Sequence, residues 1–140
     1  MVQYQWDDSL ITGHAMIDEQ HKQLFAAIND LLKACQENKG NEELTKSLNF
    51  LNDYTIKHFF DEEQVQQKNA YPDYPNHKIL HDAFKKTVRD LKVRLIMKGP
   101  SADLIDEVKT KIGGWLVTHI RGNDIKLAAY IKDKNQAAGQ

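Results

Sequence analysis

Between Leu44 and Val65, the residues Leu44, Leu48, Leu51, Thr55, His58, Glu62 and Val65 recur at alternating steps of four and three. That period puts all seven on one face of an α-helix and on no face of a strand. Three further segments repeat it. The first runs through His21, Leu24, Phe25, Ile28, Leu32 and Cys35, the third through His77, His81, Phe84, Val88, Leu91 and Leu95, and the fourth through Leu104, Val108, Ile112, Trp115 and His119. No strand-like alternation of useful length competes, so the chain is expected to be all-α. Four helices of about 20 residues with short links set sequence neighbours antiparallel, which is the up-down-up-down four-helix bundle.

The punctuation between these segments agrees. Asn38-Lys39-Gly40-Asn41 joins a residue suited to left-handed backbone, Gly40, to a cap for the next helix, Asn41. Tyr71-Pro72-Asp73-Tyr74-Pro75 must be a loop or a helix entry, because each Pro biases the residue before it away from helical geometry. Lys98-Gly99-Pro100-Ser101 repeats the stop, with Ser101 as cap. Asp18 is placed to cap the first helix, and Gly122 is expected to end the fourth just past His119. The expected layout is one domain over residues 1–140. It has an arm over 1–17 whose Trp6 packs across one end of the bundle, four helices, a short C-terminal helix from Ile125 to Lys132, and a frayed tail over 133–140.

Composition narrows the function classes. Nineteen Lys and Arg against twenty Asp and Glu leave a net charge of -1, so no overall field draws the chain to nucleic acid or to an anionic membrane. Lys85, Lys86, Arg89, Lys92 and Arg94 read as a solvated helix face. Apolar runs are only a few residues long, which excludes membrane insertion. The start of the chain lacks the basic and apolar regions of a signal peptide, so the cytoplasm is the expected location. The lone Cys35 excludes an internal disulfide and an all-thiolate metal site, and is expected to be a small core residue.

The anomaly is polar. Five of the six histidines and Glu62 interrupt stripes otherwise made of Leu, Ile, Val and Phe. His58 and Glu62 are four apart, as are His77 and His81, so each pair shares a helix face. In an antiparallel bundle these four, His21 and His119 fall near a common level. His119 and Asp124 are five apart, about 140° round a regular helix, and a break at Gly122 is expected to swing Asp124 back over the bundle. Burying five imidazoles and two carboxylates unpaired costs on the order of 1–3 kcal/mol each, more if charged. A small domain has a net stability of only about 5–15 kcal/mol. Metal is the economical explanation. His14 falls off this spacing and is expected to be a surface or arm-packing residue.

Ligand chemistry limits which metal. Without thiolate, iron–sulfur clusters are out, and imidazole with carboxylate suits iron, zinc, copper or nickel. Seven ligands are too many for one tetrahedral zinc. Two ions bridged by both carboxylates and one solvent-derived oxygen use every ligand. One ion then has three His and the other two, with one coordination position open.

The pattern His21, His58-x-x-x-Glu62, His77-x-x-x-His81 and His119-x-x-x-x-Asp124 resembles the hemerythrin signature. So do the flanking Asp18-Glu19-Gln20-His21, His58-Phe59, Tyr71-Pro72 and Trp115-Leu116-Val117-Thr118-His119-Ile120. The resemblance covers about residues 6 to 130. It implies a non-haem di-iron centre, two iron ions with an oxo or hydroxo bridge, that binds O2 reversibly for transport, storage or delivery. It further implies that His77, His81 and His119 hold the six-coordinate iron, that His21 and His58 hold the five-coordinate one, and that Glu62 and Asp124 bridge. Leu24, Phe59, Trp115, Leu116 and Ile120 match the apolar positions around the family's O2 pocket. Gln66 departs from the pattern, since relatives often carry Met there, and its amide is expected to meet bound ligand or to open a water path.

Two rival functions share the same centre. One is an enzyme acting on peroxide, nitric oxide or ferrous iron, which wants a proton shuttle that the pocket positions lack. The other is an O2- or redox-sensing module, which wants an output domain. The expectation is therefore an O2-binding protein and not an enzyme.

Overall fold

The computed structural model describes residues 4–37 and 40–138. Three long helices, α1 (Ala15–Gln36), α2 (Asn41–Lys68) and α3 (Tyr74–Lys98), are followed by a fourth rod that runs without interruption from Ala102 to Ala138. The rod is α4 (Ala102–Glu107), a π-helical stretch Val108–Gly114, α5 (Trp115–His119), a second π-helical stretch Ile120–Asp124, and α6 (Ile125–Ala138). α2 packs between α1 and α3, and the fourth rod closes the ring against both of them. This is the expected up-down-up-down bundle, and among the described residues there is no strand. No helix in the described part is long and apolar enough to cross a membrane.

Two apolar clusters fill the interior at different levels. The larger holds the stripe residues of all four helices, among them Leu31, Leu48, Leu91 and Val108, each 2% exposed or less. Burying a side chain of that size stabilises by roughly 1.5–3 kcal/mol. Cys35 is buried there as expected. The smaller cluster, Ile17, Tyr71, Leu127 and Ile131, plugs the opposite end. The polar residues of the stripes lie between the two, so the site is a closed internal layer rather than an open end.

Several local expectations are corrected. α1 starts three residues before Asp18, and its cap is His14, whose Nδ1 accepts from Ile17 N at 3.3 Å. Asp18 instead fastens the arm, accepting from Thr12 N at 2.9 Å, Thr12 Oγ1 at 2.7 Å and Gly13 N at 3.1 Å. Asn41 is the first residue of α2, not its cap. Gly40 precedes it at φ 92°, a left-handed conformation open to glycine, and supplies no side-chain cap. Asn38 and Lys39 lie outside the described residues. Ser101 caps α4 as expected, its Oγ accepting from Leu104 N at 3.1 Å.

The arm does not cross an end of the bundle. It runs along the seam between α1 and the fourth rod, with Tyr4 and Trp6 packed on the main core. Tyr4 N and O pair with the Asn29 amide at 2.9 and 2.7 Å, and its hydroxyl donates to Lys109 O. The Trp6 ring lies 5.9 Å from Phe25 and 6.4 Å from His21. Gly122 does not end a helix, and the final helix runs well past Lys132 to Ala138. The expected frayed tail from 133 is thus helical as far as it is described, and residues 139–140 lie outside the described set.

Candidate metal centre

All seven side chains singled out from the sequence meet at one level, and every one is 3% exposed or less. α1 brings His21, α2 brings His58 and Glu62, α3 brings His77 and His81, and the fourth rod brings His119 and Asp124. The five-residue gap in the fourth rod is bridged without a break. A π-helical turn holds one residue more than an α-turn, so a spacing of five does there what a spacing of four does on α2. Asp124 Oδ1 consequently lies 3.3 Å from His119 Nε2.

The donors form two groups that share their carboxylates. Glu62, His77, His81, His119 and Asp124 make one, and His21, His58, Glu62 and Asp124 make the other, with the donor atoms of each group all within 4.8 Å of one another. Glu62 divides its oxygens between them. Oε1 lies 3.0 Å from His77 Nε2 and 3.3 Å from His81 Nε2, while Oε2 lies 3.3 Å from His58 Nε2 and 3.8 Å from His21 Nε2. Asp124 does the same, with Oδ1 3.0 Å from His77 Nε2 and Oδ2 2.8 Å from His21 Nε2. In the first group His119 Nε2 is 3.0 Å from His77 Nε2 and 3.2 Å from His81 Nε2. Donors at about 2.0–2.2 Å from one ion, at the corners of an octahedron, stand about 2.8–3.1 Å apart along its edges. The observed separations are close to those edges.

The donor atoms also behave as ligands wanting an ion. Nε2 of His21 and His58 and all four oxygens of Glu62 and Asp124 are buried without a hydrogen-bond partner among the described residues, despite the short approaches. Contacts of that length without hydrogen-bond alignment are what lone pairs aimed at a common point produce. Left so, each would carry the desolvation cost of an unmade bond. The set therefore fits two cations held by nitrogen and oxygen ligands.

Electrostatics point the same way. Burial and the Asp124 carboxylate push Glu62 upward, yet the imidazoles of His58, His77 and His81 outweigh them and hold it far below the usual carboxylate range. Burial likewise opposes ionisation of Asp124, and His119, His21 and His77 overcome it. Burial pulls His77 down, but Asp124 and Glu62 raise it to about 9. His81 is raised against its burial by Glu62 and Glu63, whereas burial wins at His58 and lowers it. The cavity is thus built around two anionic carboxylates that draw positive charge.

A supporting layer fixes the rings, and no helical period in the sequence marks it. His81 Nδ1 donates to Glu63 Oε2 at 2.9 Å and His58 Nδ1 donates to Gln20 Oε1 at 2.8 Å. Gln20 Nε2 donates in turn to Asp61 Oδ2 at 2.8 Å, which also takes Lys57 Nζ at 2.7 Å. With an ion in place of the Nε2 proton, these bonds would hold the tautomer that presents Nε2 to the interior. In the sequence Gln20 shows only as part of the Asp18-Glu19-Gln20-His21 motif, and Asp61 and Glu63 only as neighbours of Glu62.

Two of the five apolar positions stack on ligand rings. Phe59 stacks on His81, centroids 3.8 Å apart and planes within 6°, and Trp115 stacks on His119 at 4.4 Å and 13°. Leu24, Phe59, Leu116 and Ile120 are buried members of the main core, while Trp115 is half-buried. Gln66, one turn beyond Glu62, is fully buried and neither of its amide atoms has a partner among the described residues. His14 caps α1 and is not among the donors of either group.

Comparisons with known proteins agree with this geometry. Residues 12–131 match the model of the hemerythrin HHE cation-binding domain. A bacteriohemerythrin of Stenotrophomonas maltophilia (strain R551-3) is 32% identical over 127 residues, covering 91% of this chain and 80% of the relative. A myohemerythrin of Theromyzon tessulatum is 34% identical over 125 residues, covering 88% and 89%. Among solved structures, a wild-type hemerythrin crystal structure aligns with a TM-score of 0.78 at 28% identity, over 91% of this chain and 96% of the other. Myohemerythrin is itself a standard example of the up-and-down bundle. Fold, donor set and sequence lead to one conclusion, that the chain belongs to the hemerythrin family.

Proposed function

We propose that this protein binds O2 reversibly at its di-iron centre and serves to carry, store or deliver it. Hemerythrins hold two irons, and the observation that carries the reading is the division of Glu62 and Asp124 between two donor groups. His77, His81 and His119 would hold one iron and His21 and His58 the other, with Glu62 and Asp124 available to both. When bound, the ferrous pair supplies the electrons that O2 takes up and later returns.

The chain's own residues favour carriage over turnover. Glu63 and Gln20 hold the Nδ1 protons of His81 and His58, so those rings cannot turn away or exchange tautomer. Phe59 and Trp115 lie flat on His81 and His119 and exclude water from that side. With Leu24, Leu116 and Ile120 they make a wall that holds neither acid nor base, so no side chain there is placed to protonate a reduced ligand. A wall of low polarity also disfavours charge separation, which limits oxidation of the irons. Two carboxylates to five imidazoles give less anionic support to high-valent iron than the four carboxylates of ferritin-like sites.

The test is metal analysis followed by gas cycling. Anaerobic loading with ferrous iron is expected to give two irons per chain and a visible band that appears in air and disappears under vacuum, cycle after cycle. Irreversible bleaching, or peroxide turnover far above that of free iron, would overturn carriage in favour of a redox enzyme.

A further inference from the structure

Helix α3 turns an apolar face outward that no other element covers among the described residues. Met97, Ile79 and Val93 are 78%, 64% and 54% exposed, and with Phe60 they are the most exposed large apolar side chains among the described residues. The same face continues through Ala83, Lys86 and Asp90, all exposed. Positions 79, 83, 86, 90, 93 and 97 step by four and three without a break, the spacing of a coiled-coil seam. Ile56 and Phe60 on α2 have no such continuation, since Asn49, Asp53, Glu63 and Gln67 flank them at those steps.

The seam is complementary to itself when reversed. A second α3 turned end for end sets 79 beside 97, 83 beside 93 and 86 beside 90. Ile79 then meets Met97, Ala83 meets Val93, and Lys86 meets Asp90, each twice by two-fold symmetry. A parallel pairing would instead set Lys86 on Lys86 and Asp90 on Asp90. Sliding the reversed helix by seven residues would set both charges against apolar positions. The charged layer selects direction and register, as polar layers do in coiled coils.

We infer that this face docks a second copy of the same chain, α3 against α3, antiparallel and centred at the level of Val88. Within one chain Lys86 and Asp90 already lie 3.5 Å apart, so the two copies together bring four alternating charges to the middle of the seam. A single helix pair is small beside the roughly 1,600 Å² of a standard interface, so the association is weak and depends on concentration. His77 and His81 leave the opposite side of the same helix, inward, and the docking does not touch them.

Sedimentation equilibrium on the iron-loaded chain from ~10 μM to ~1 mM is the test. The mass is expected to rise from 16.1 kDa toward twice that value. Val93→Glu is expected to hold it at 16.1 kDa throughout, with helix content and iron content unchanged. Lys86→Asp sets like charges opposite one another and weakens the dimer at least ~10-fold, and adding Asp90→Lys restores it. Ala83→Cys chains mixed with Val93→Cys chains crosslink on oxidation, whereas Ala83→Cys chains alone do not, because ten residues of helix, about 15 Å, separate their thiols along the axis. A single-chain mass at every concentration, a dimer indifferent to Val93→Glu, or crosslinking of Ala83→Cys alone overturns the inference. Binding to phosphatidylcholine vesicles that Val93→Glu abolishes, with no dimer, would assign the face to lipid and overturn it as well.

Discussion

Glu63 Oε2 accepts the Nδ1 proton of His81 at 2.9 Å, from the helix that also supplies Glu62 one residue earlier. Adjacent carboxylates on α2 thus face His81 from two sides, Glu62 toward Nε2 and Glu63 toward Nδ1. Outer partners of this kind orient a ligand and raise its basicity, and their loss typically lowers metal affinity 10- to 100-fold. Glu63→Ala is expected to weaken iron retention by about that factor while leaving two irons bindable at saturation, as a chelator titration would read. Glu62→Ala removes a donor from both groups and is expected to lose stoichiometric iron outright. Equal effects of the two changes would refute the division of roles.

Gln66 carries a prediction of opposite sign. Its amide is fully buried with neither atom bonded, and such a group costs about 1–3 kcal/mol relative to an apolar side chain of similar shape. Gln66→Met is expected to raise thermal stability in the iron-loaded protein. A fall in melting temperature would mean that the amide is satisfied in solution by an internal water or by bound ligand.

Tyr4 explains Gly113. A Cβ at Gly113 would fall on the Tyr4 ring, whose hydroxyl donates to Lys109 O across the seam. Gly113→Ala is therefore expected to expel the arm and destabilise by roughly 1–3 kcal/mol. In a Tyr4→Ala background the same change should cost nothing or stabilise, because alanine suits a helix better than glycine. Additive costs in that double-mutant cycle would contradict the contact.

The link between α3 and the fourth rod sets a pH dependence. Arg94, and after it Lys111, hold the Glu107 carboxyl down at about 2 from an ordinary 4.5. A group depressed on folding contributes stability that is fully present above its unfolded value and is lost as pH falls through its folded value. Denaturant titrations should thus lose this contribution between about pH 4.5 and 2. Glu107→Gln should make the loss over that interval shallower, and so should about 1 M salt, because the group is exposed and screened.

Much of the site could be read directly because its ligands occupy stripe positions. His58 with Glu62, and His77 with His81, are polar exactly where the four-three rhythm demands Leu or Val, so their inward aim follows from the period alone. Asp124 was legible as a ligand but not in its manner of arriving, because nothing in Ile120-Arg121-Gly122-Asn123-Asp124 distinguishes a broken helix from a widened one. Gly122 suggested the break, yet it sits in helical backbone with open space where a Cβ would stand. The first cap was misread because Asp18 is the better capping residue by type, whereas the arm claimed its carboxylate and left His14 to serve. Gln20 and Glu63 stayed hidden because their partners come from other helices, a relation no period encodes.

The widened turn at Ile120–Asp124 means that the last ligand is held in phase by a single surplus residue. Were that stretch to wind as an ordinary α-helix with all its residues kept, everything after it would rotate by about 100° about the rod. Asp124 would then swing off the cluster and Leu127 would leave the plug at the far end, although no ligand had been substituted. A change that only tightens this turn is therefore a harsher change to metal chemistry than most replacements inside the bundle, and the winding of the helix is itself part of the centre.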